Sequence, residues 1–214
     1  MLGKIFREKI KGLNKILAMP FIALKINPNV LSFLGIPLAL ISFYLMLQKA
    51  WLIAFVFAFF SVIIDLIDGT VARALKKESN FGNYFETMID KYIELILFAG
   101  FAIYFPLTTA LALGFSLIES YAKPRVALVI ITDNRDWPAI AEHSERMLLL
   151  LIAIILMQFN LIFFSLNASE IILWLIVFLT IIGGIQRINY AKKLIKEAEE
   201  KDLLLPYIKE KKER

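Results

Sequence analysis

An all-α integral membrane protein, with six transmembrane helices behind an N-terminal interfacial amphipathic helix, is the fold class this sequence predicts. Three observations predict it. Of 214 residues, 59% are hydrophobic and the mean hydropathy is +0.71, well above the apolar share of soluble domains. Uncharged runs long enough to cross a hydrocarbon core about 30 Å thick recur along the chain. Lys and Arg are distributed so that, with six spans, 23 of the 24 fall on one side and only Lys49 on the other.

The elements follow in chain order. Leu2, Ile5, Phe6, Ile10, Leu13, Ile16 and Leu17 recur at helical spacing among Lys4, Arg7, Lys9, Lys11 and Lys15. That is the pattern of a basic amphipathic helix on the cytoplasmic leaflet, with an ordinary solvated helix as the alternative. It lacks the unbroken apolar stretch and small-residue cleavage site of a signal peptide, so residues 1–26 are expected to be retained. Asn27-Pro28-Asn29 breaks the chain, and residues 30–47 form the first span. After Lys49 a second apolar run reaches Ile64 and ends in Asp65 and Asp68. Residues 95–118 are an uncharged stretch of 24 residues, readable as one tilted helix or as two helices meeting at Pro106. The positive-inside rule decides for two, because one span would put the eight basic residues of 192–214 opposite the basic N-terminus. Spans at 147–168 and 171–191 complete six. The expected organisation is 1–26 as the amphipathic helix, 27–191 as the membrane domain and 192–214 as a charged cytoplasmic tail, with a helix and a short end. Both termini are then cytoplasmic, in a multi-pass protein of the cell membrane.

Several function classes drop out. With no cysteine there is no disulfide framework, thiolate metal site or cysteine nucleophile. The net charge of +5 reflects orientation in a bilayer rather than nucleic-acid binding.

Carboxylates near the ends of the second and third spans need a reason. Asp65 and Asp68 are three apart and share a helix face, while Gly82, Glu86, Asp90 and Glu94 recur every fourth residue along the next helix. Charges near a bilayer centre cost about 2.5–3.5 kcal/mol each on insertion scales, less near the interface, and clustered carboxylates also repel. A bound cation relieves both penalties. Hard oxygens favour Mg²⁺, Mn²⁺ or Ca²⁺ over zinc or copper in a chain with one His. Such ions suit phosphate chemistry, and Arg73 adds a planar fork for phosphate oxygens. Gly69 and Gly82 leave helix surface bare for a close approach. The alternative is that these carboxylates merely cap and solvate helix ends.

Asp65-Leu-Ile-Asp68-Gly69-Thr-Val-Ala72-Arg73, then eight residues, Gly82, three residues, Glu86, three residues and Asp90 closely resembles the signature of the CDP-alcohol phosphotransferase family. The resemblance extends to a six-helix core over about residues 27–191, with Pro28-Asn29 before the first span. It implies that Asp65, Asp68, Glu86 and Asp90 hold two divalent cations, Mg²⁺ or Mn²⁺. Asp90 would also take the proton of the alcohol, and Gly69, Ala72, Arg73 and Gly82 would line the CDP site. The implied reaction is attack of an alcohol hydroxyl on the lipid-bearing phosphorus of a CDP-lipid, releasing CMP. A homodimer is also implied. Glu86 stands where the family usually has aspartate, adding a methylene that could move a metal-binding oxygen by about 1 Å.

Four further cations address the acceptor. Lys123 and Arg125 end the fourth helix, Arg146 begins the fifth and Arg187 lies near the cytoplasmic end of the sixth. Their convergence predicts a phosphorylated acceptor, resembling family members that use inositol phosphate, with glycerol phosphate next and serine a further alternative. Ion pairing with Glu119 and Glu145, or snorkelling, is the competing explanation for any one of them. His143 is expected to be an interfacial or capping residue, 133–138 a loop anchored at the interface or shaping substrate entry, and Gly183-Gly184 a place of close helix contact or of room beside the substrate cavity. An ion-coupled transporter, the rival from another class, would continue its polar groups through the midplane, where these spans show few. Missing Cys and abundant Ile, Lys and Glu suit a hot-living source, archaeal among them.

Overall fold

The computed structural model describes residues 2–131 and 137–205. Seven helices run in order among them: α1 (Leu2–Ala23), α2 (Pro28–Leu47), α3 (Trp51–Ala74), α4 (Asn80–Ala102), α5 (Pro106–Val126), α6 (His143–Met157) and α7 (Ala168–Glu200). A small antiparallel hairpin, β1 (Ile162–Phe163) with β2 (Leu166–Asn167), joins α6 to α7.

Local chemistry sets the helix starts. Asn27 caps α2 by accepting the Asn29 N–H at 3.0 Å, and Pro28 occupies the first turn, where its missing N–H costs nothing. Ser79 caps α4 by accepting the Gly82 N–H at 2.9 Å, and Pro106 opens α5. Glu142 and Glu145 form a capping box at α6, so Glu145 serves backbone N–H groups of Ala141 and Glu142 rather than Arg146.

Small side chains at the helix contacts let backbones approach: Ala39, Ala54, Ala58, Ala112 and Ala153 are all fully buried, interleaved with Phe98, Phe101, Leu150 and Ile154. The helix α1 packs on α3 through Ala18, which meets Ile64, Ile67 and Val71, while Leu13, Ile16 and Met19 stay more than half exposed. An apolar stripe left open beside a packed one is what an interfacial helix requires.

The α2–α3 turn, the α4–α5 turn and the start of α7 meet at one end of the molecule. The Tyr104 ring stands 5.2 Å from that of Trp51 and its hydroxyl donates to the Met46 carbonyl at 2.9 Å, joining the α2–α3 and α4–α5 turns. Thr108 donates to Glu170 at 3.0 Å, bringing the start of α7 to the same end. The carboxylates gather at the other.

The helices α2, α3 and α7 are long and apolar enough to cross a membrane. The helix α4 has 23 residues but carries Glu86, Asp90, Lys91 and Glu94. The span expected at 147–168 is corrected: α6 starts at His143 and stops after 15 residues at Met157. Asn160, Phe164 and Ser165 take positive φ of 46°, 50° and 67°, which turns the apolar run beyond it into the hairpin. The helix of the last expected span continues into the expected tail, as α7 runs unbroken for 33 residues. Beyond it the chain folds back, pairing Leu204 with Ile130. Trp137, expected to anchor an interfacial loop, is instead 5% exposed, with its ring 5.2 Å from that of Tyr190 in a small core under α7. The expected loop residues 133–136 lie outside the described residues.

Candidate active site

A cavity of about 440 Å³ opens between the start of α2, the end of α3 and the start of α4. Gly69, Ala72, Arg73 and Gly82, the four residues expected around a nucleotide, all line it, together with Asn29, Ser32 and Glu86. The two glycines keep its walls thin. A Cβ at Gly69 would sit 3.3 Å from Glu86 Oε1 and 3.5 Å from Arg73 Nη1, and one at Gly82 would sit 3.0 Å from the capping Ser79 Oγ. Either addition would crowd polar atoms that face the cavity.

Behind this wall the carboxylates of α3 and α4 lie close enough to feel one another's charge. They are not equivalent. Asp68 is 2% exposed and served by the protein: Ser32 Oγ donates to one oxygen at 2.5 Å and the Gly69 N–H to the other at 2.6 Å. Asp65 and Asp90 each leave an oxygen, Oδ1, shut from solvent without a hydrogen-bond partner. One ligand atom from each of Asp65, Asp90 and His143 lies within 4.8 Å of the other two. Buried, unpartnered carboxylate oxygens are costly unless something positive meets them, and a divalent cation fits this donor set. Asp65 and Asp90 would hold it, with Glu86 beside the cavity and Asp68 adjoining.

His143 is therefore corrected from a cap to a member of the cluster. Its Nε2 stands 3.4 Å from Asp65 Oδ2 and its Nδ1 3.1 Å from Glu94 Oε2. Two signals pointed there without being decisive. Glu94 continues the every-fourth series of α4, and His143 lies one turn before Arg146.

Glu94 belongs to a buried ion network that the sequence reading did not assemble. Arg146 is fully buried and all five of its N–H donors have partners inside the protein. Its Nε and Nη2 reach Glu94 at 2.6 and 3.2 Å, Nη1 reaches Glu119 at 2.8 Å and the Ala141 carbonyl at 2.6 Å, and Nη2 also reaches Ser120 at 3.1 Å. Lys91 adds a contact to Glu94 at 2.8 Å. Arg187 pairs with Glu119 at 2.6 Å and donates to its backbone carbonyl at 2.9 Å. A direct grip of Arg146 on a substrate phosphate would thus require an exchange of partners. Arg125 is exposed, Lys123 is half-buried, and none of the four expected acceptor cations lines the cavity. Gly183 serves a different contact from the expected helix packing: a Cβ there would collide with the Ile140 carbonyl, so α7 lies directly against the residues leading into α6.

Known proteins resemble this chain in sequence and in fold. The chain is 29% identical over 197 residues to the archaetidylinositol phosphate synthase of Pyrococcus horikoshii, covering 90% of this chain and 97% of that one. It is 28% identical over 145 residues to the phosphatidylinositol phosphate synthase of Cutibacterium acnes, covering 60% and 66%. Its fold matches crystal structures of the Mycobacterium tuberculosis phosphatidylinositol phosphate synthase. The form with CDP-DAG bound superposes with a TM-score of 0.68 at 22% identity, over 83% of this chain and 92% of that one. The form in complex with manganese and citrate gives 0.68 at 21%, over 83% and 88%. The family model for CDP-alcohol phosphatidyltransferases matches residues 25–182, which takes in the cavity wall, the carboxylates, Glu94, His143 and Arg146. Signature, cavity and family model thus coincide on the same helices, and the chain belongs to the CDP-alcohol phosphatidyltransferase family.

Proposed function

We propose that this protein transfers the lipid-bearing phosphoryl group of a CDP-lipid, CDP-archaeol or CDP-diacylglycerol, to inositol phosphate, releasing CMP. The observation that carries this reading is the adjacency of a cavity lined by Gly69, Ala72, Arg73 and Gly82 to the unpartnered oxygens of Asp65 and Asp90. The choice of acceptor is supported by the near full-length similarity to an archaetidylinositol phosphate synthase.

In this account the cytidine diphosphate occupies the cavity, where Arg73 offers a planar fork to its phosphate oxygens and the bare surfaces of Gly69 and Gly82 admit it closely. Asp65, Asp68, Glu86 and Asp90 would hold two divalent ions, Mg²⁺ or Mn²⁺. When bound, these neutralise diphosphate charge and lower the pKa of the attacking hydroxyl. The acceptor oxygen forms a bond to the lipid-bearing phosphorus, the bond from that phosphorus to the CMP oxygen breaks, and the hydroxyl proton passes to the free oxygen of Asp90. Lys123, Arg125 and Arg187 receive the acceptor phosphate. We assign Arg146 the role of holding Glu94 and Glu119, since its donors are engaged. Lipid tails stay in the bilayer beside six spans, with both termini and the site cytoplasmic and the protein a homodimer by family resemblance.

Product analysis tests the function. Purified protein with Mn²⁺ or Mg²⁺, a CDP-lipid and a panel of inositol phosphate, glycerol 3-phosphate and serine is expected to yield CMP and a phosphodiester with inositol phosphate. Turnover of serine with neither phosphate would overturn the acceptor assignment. Topology has its own test: single cysteines at Lys49 and Lys196 are expected to label from opposite sides of the membrane, and labelling from one side would refute six spans.

A further inference from the structure

We propose that His143 is a nitrogen ligand of the divalent-cation site, binding through Nε2 beside Asp65 and Asp90, and that Glu94 orients it for that purpose. The inference rests on the metal-dependent reading above and adds to a carboxylate set a ligand of another kind.

The tautomer comes first. Glu94 is fully buried, and its oxygens already accept from Arg146 and Lys91, so it stands as an ionised acceptor. Nδ1 of His143, 3.1 Å from Glu94 Oε2, must then carry a proton, so in the neutral imidazole that binds a cation the lone pair is the one on Nε2. A carboxylate that takes one ring N–H and so aims the other nitrogen at a metal is the recurrent support of histidine ligands.

Distance comes second. Nε2 stands 3.4 Å from Asp65 Oδ2, and it is shut from solvent with no hydrogen-bond partner. Two ligands at about 2.1 Å from one octahedral ion lie roughly 3 Å apart when adjacent and about 4.2 Å apart when opposite. The spacing is therefore that of two ligands, and Asp90 completes the group, one ligand atom from each of the three residues lying within 4.8 Å of the others.

Chemistry supplies the consequence. An imidazole nitrogen is a softer donor than a carboxylate oxygen, so it shifts preference from Mg²⁺ toward first-row transition ions such as Mn²⁺. His143 thereby becomes a residue that sets metal preference. The helix α6 carries both this ligand and Arg146, which braces Glu94, so one helix positions the metal from its first and its next turn.

The test exploits the fact that His143 is the only histidine in the chain. Full-length protein, purified in detergent without a histidine tag and loaded with substoichiometric Mn²⁺, is examined by pulsed electron paramagnetic resonance. Expected is an imidazole ¹⁴N coupling to Mn²⁺ that converts to ¹⁵N on labelling histidine alone and vanishes in His143→Gln. In that variant Mn²⁺ should bind about tenfold or more weakly, with a smaller loss for Mg²⁺. Wild-type Mn²⁺ with oxygen coordination alone would overturn the inference, and because that reading needs no variant it does not depend on His143→Gln folding. CMP release by the same preparation separates the two claims. Activity with oxygen-only coordination overturns this inference and leaves the proposed function standing, whereas nitrogen coupling without CMP release from any CDP-lipid does the reverse.

Discussion

The two halves of the site are built on opposite principles. On the cavity side, Gly69, Ala72, Arg73 and Gly82 lie within fourteen positions of the chain and line an open space of about 440 Å³. On the far side, Glu94, Glu119 and Arg146 come from three helices, are almost completely buried and pair with one another. Asp65, Asp90 and His143 form the seam between them. The difference teaches that residues meant to meet substrate are left with unspent donors and acceptors, while those that hold the helices in place have none to spare.

Mutation should separate the halves. The largest effect on stability is expected from Arg146→Met, which leaves Glu94 and Glu119 buried without their shared partner. Loss of one side of a buried ion pair costs about 3–5 kcal/mol, so thermal unfolding in mild detergent should shift down by many degrees. A shift within error would show that the network is not a brace. Arg73→Ala should behave in the opposite way. Its side chain is exposed and donates to Thr70 at 3.3 Å, so stability should change by no more than about 0.5 kcal/mol. The KM for CDP-lipid should rise by about 10-fold to 150-fold, matching the loss of a hydrogen bond to a charged group worth about 1.5–3 kcal/mol. Smallest is Ser32→Ala, which removes the hydroxyl that donates to Asp68 and costs about 1 kcal/mol in unfolding experiments. Because Ser32 also lines the cavity, a much larger fall in activity than in stability would place it with the substrate-facing half.

Legibility in the sequence followed the same division. The cavity half is local: helical periodicity puts Asp65 with Asp68 and Glu86 with Asp90, and a spaced signature marks the residues around them. The braced half is not local, since Arg146 meets Glu94 across 52 positions and Glu119 across 27, and Arg187 meets Glu119 across 68. Four cations at one depth were visible, but nothing in their spacing distinguished a grip on phosphate from a grip on buried glutamates. A lone histidine before an apolar run resembles a cap until the fold sets Asp65 on one side of its ring and Glu94 on the other. The break at Pro106 was legible from charge asymmetry, whereas the end of α6 was not, because Leu161, Ile162, Phe163 and Phe164 are as apolar as any span and their backbone turns betray the hairpin. Trp137 misled for a related reason: an aromatic next to a charged loop suits an interface, and here Tyr190 and Ala198 bury it.

The central claim is that the carboxylates at the seam perform chemistry and do not hold the fold. Asp90→Asn tests it most directly, because the amide keeps the volume and removes the charge of a residue whose Oδ1 is buried without a hydrogen-bond partner among the described residues. Measured as CMP release from a CDP-lipid and inositol phosphate, on protein whose unfolding temperature is recorded in the same preparation, the variant is expected to lose at least 100-fold in rate, in keeping with the share that general base catalysis supplies, with no loss of stability. A rate near wild type, or a loss of activity matched by unfolding of the protein, would contradict the account.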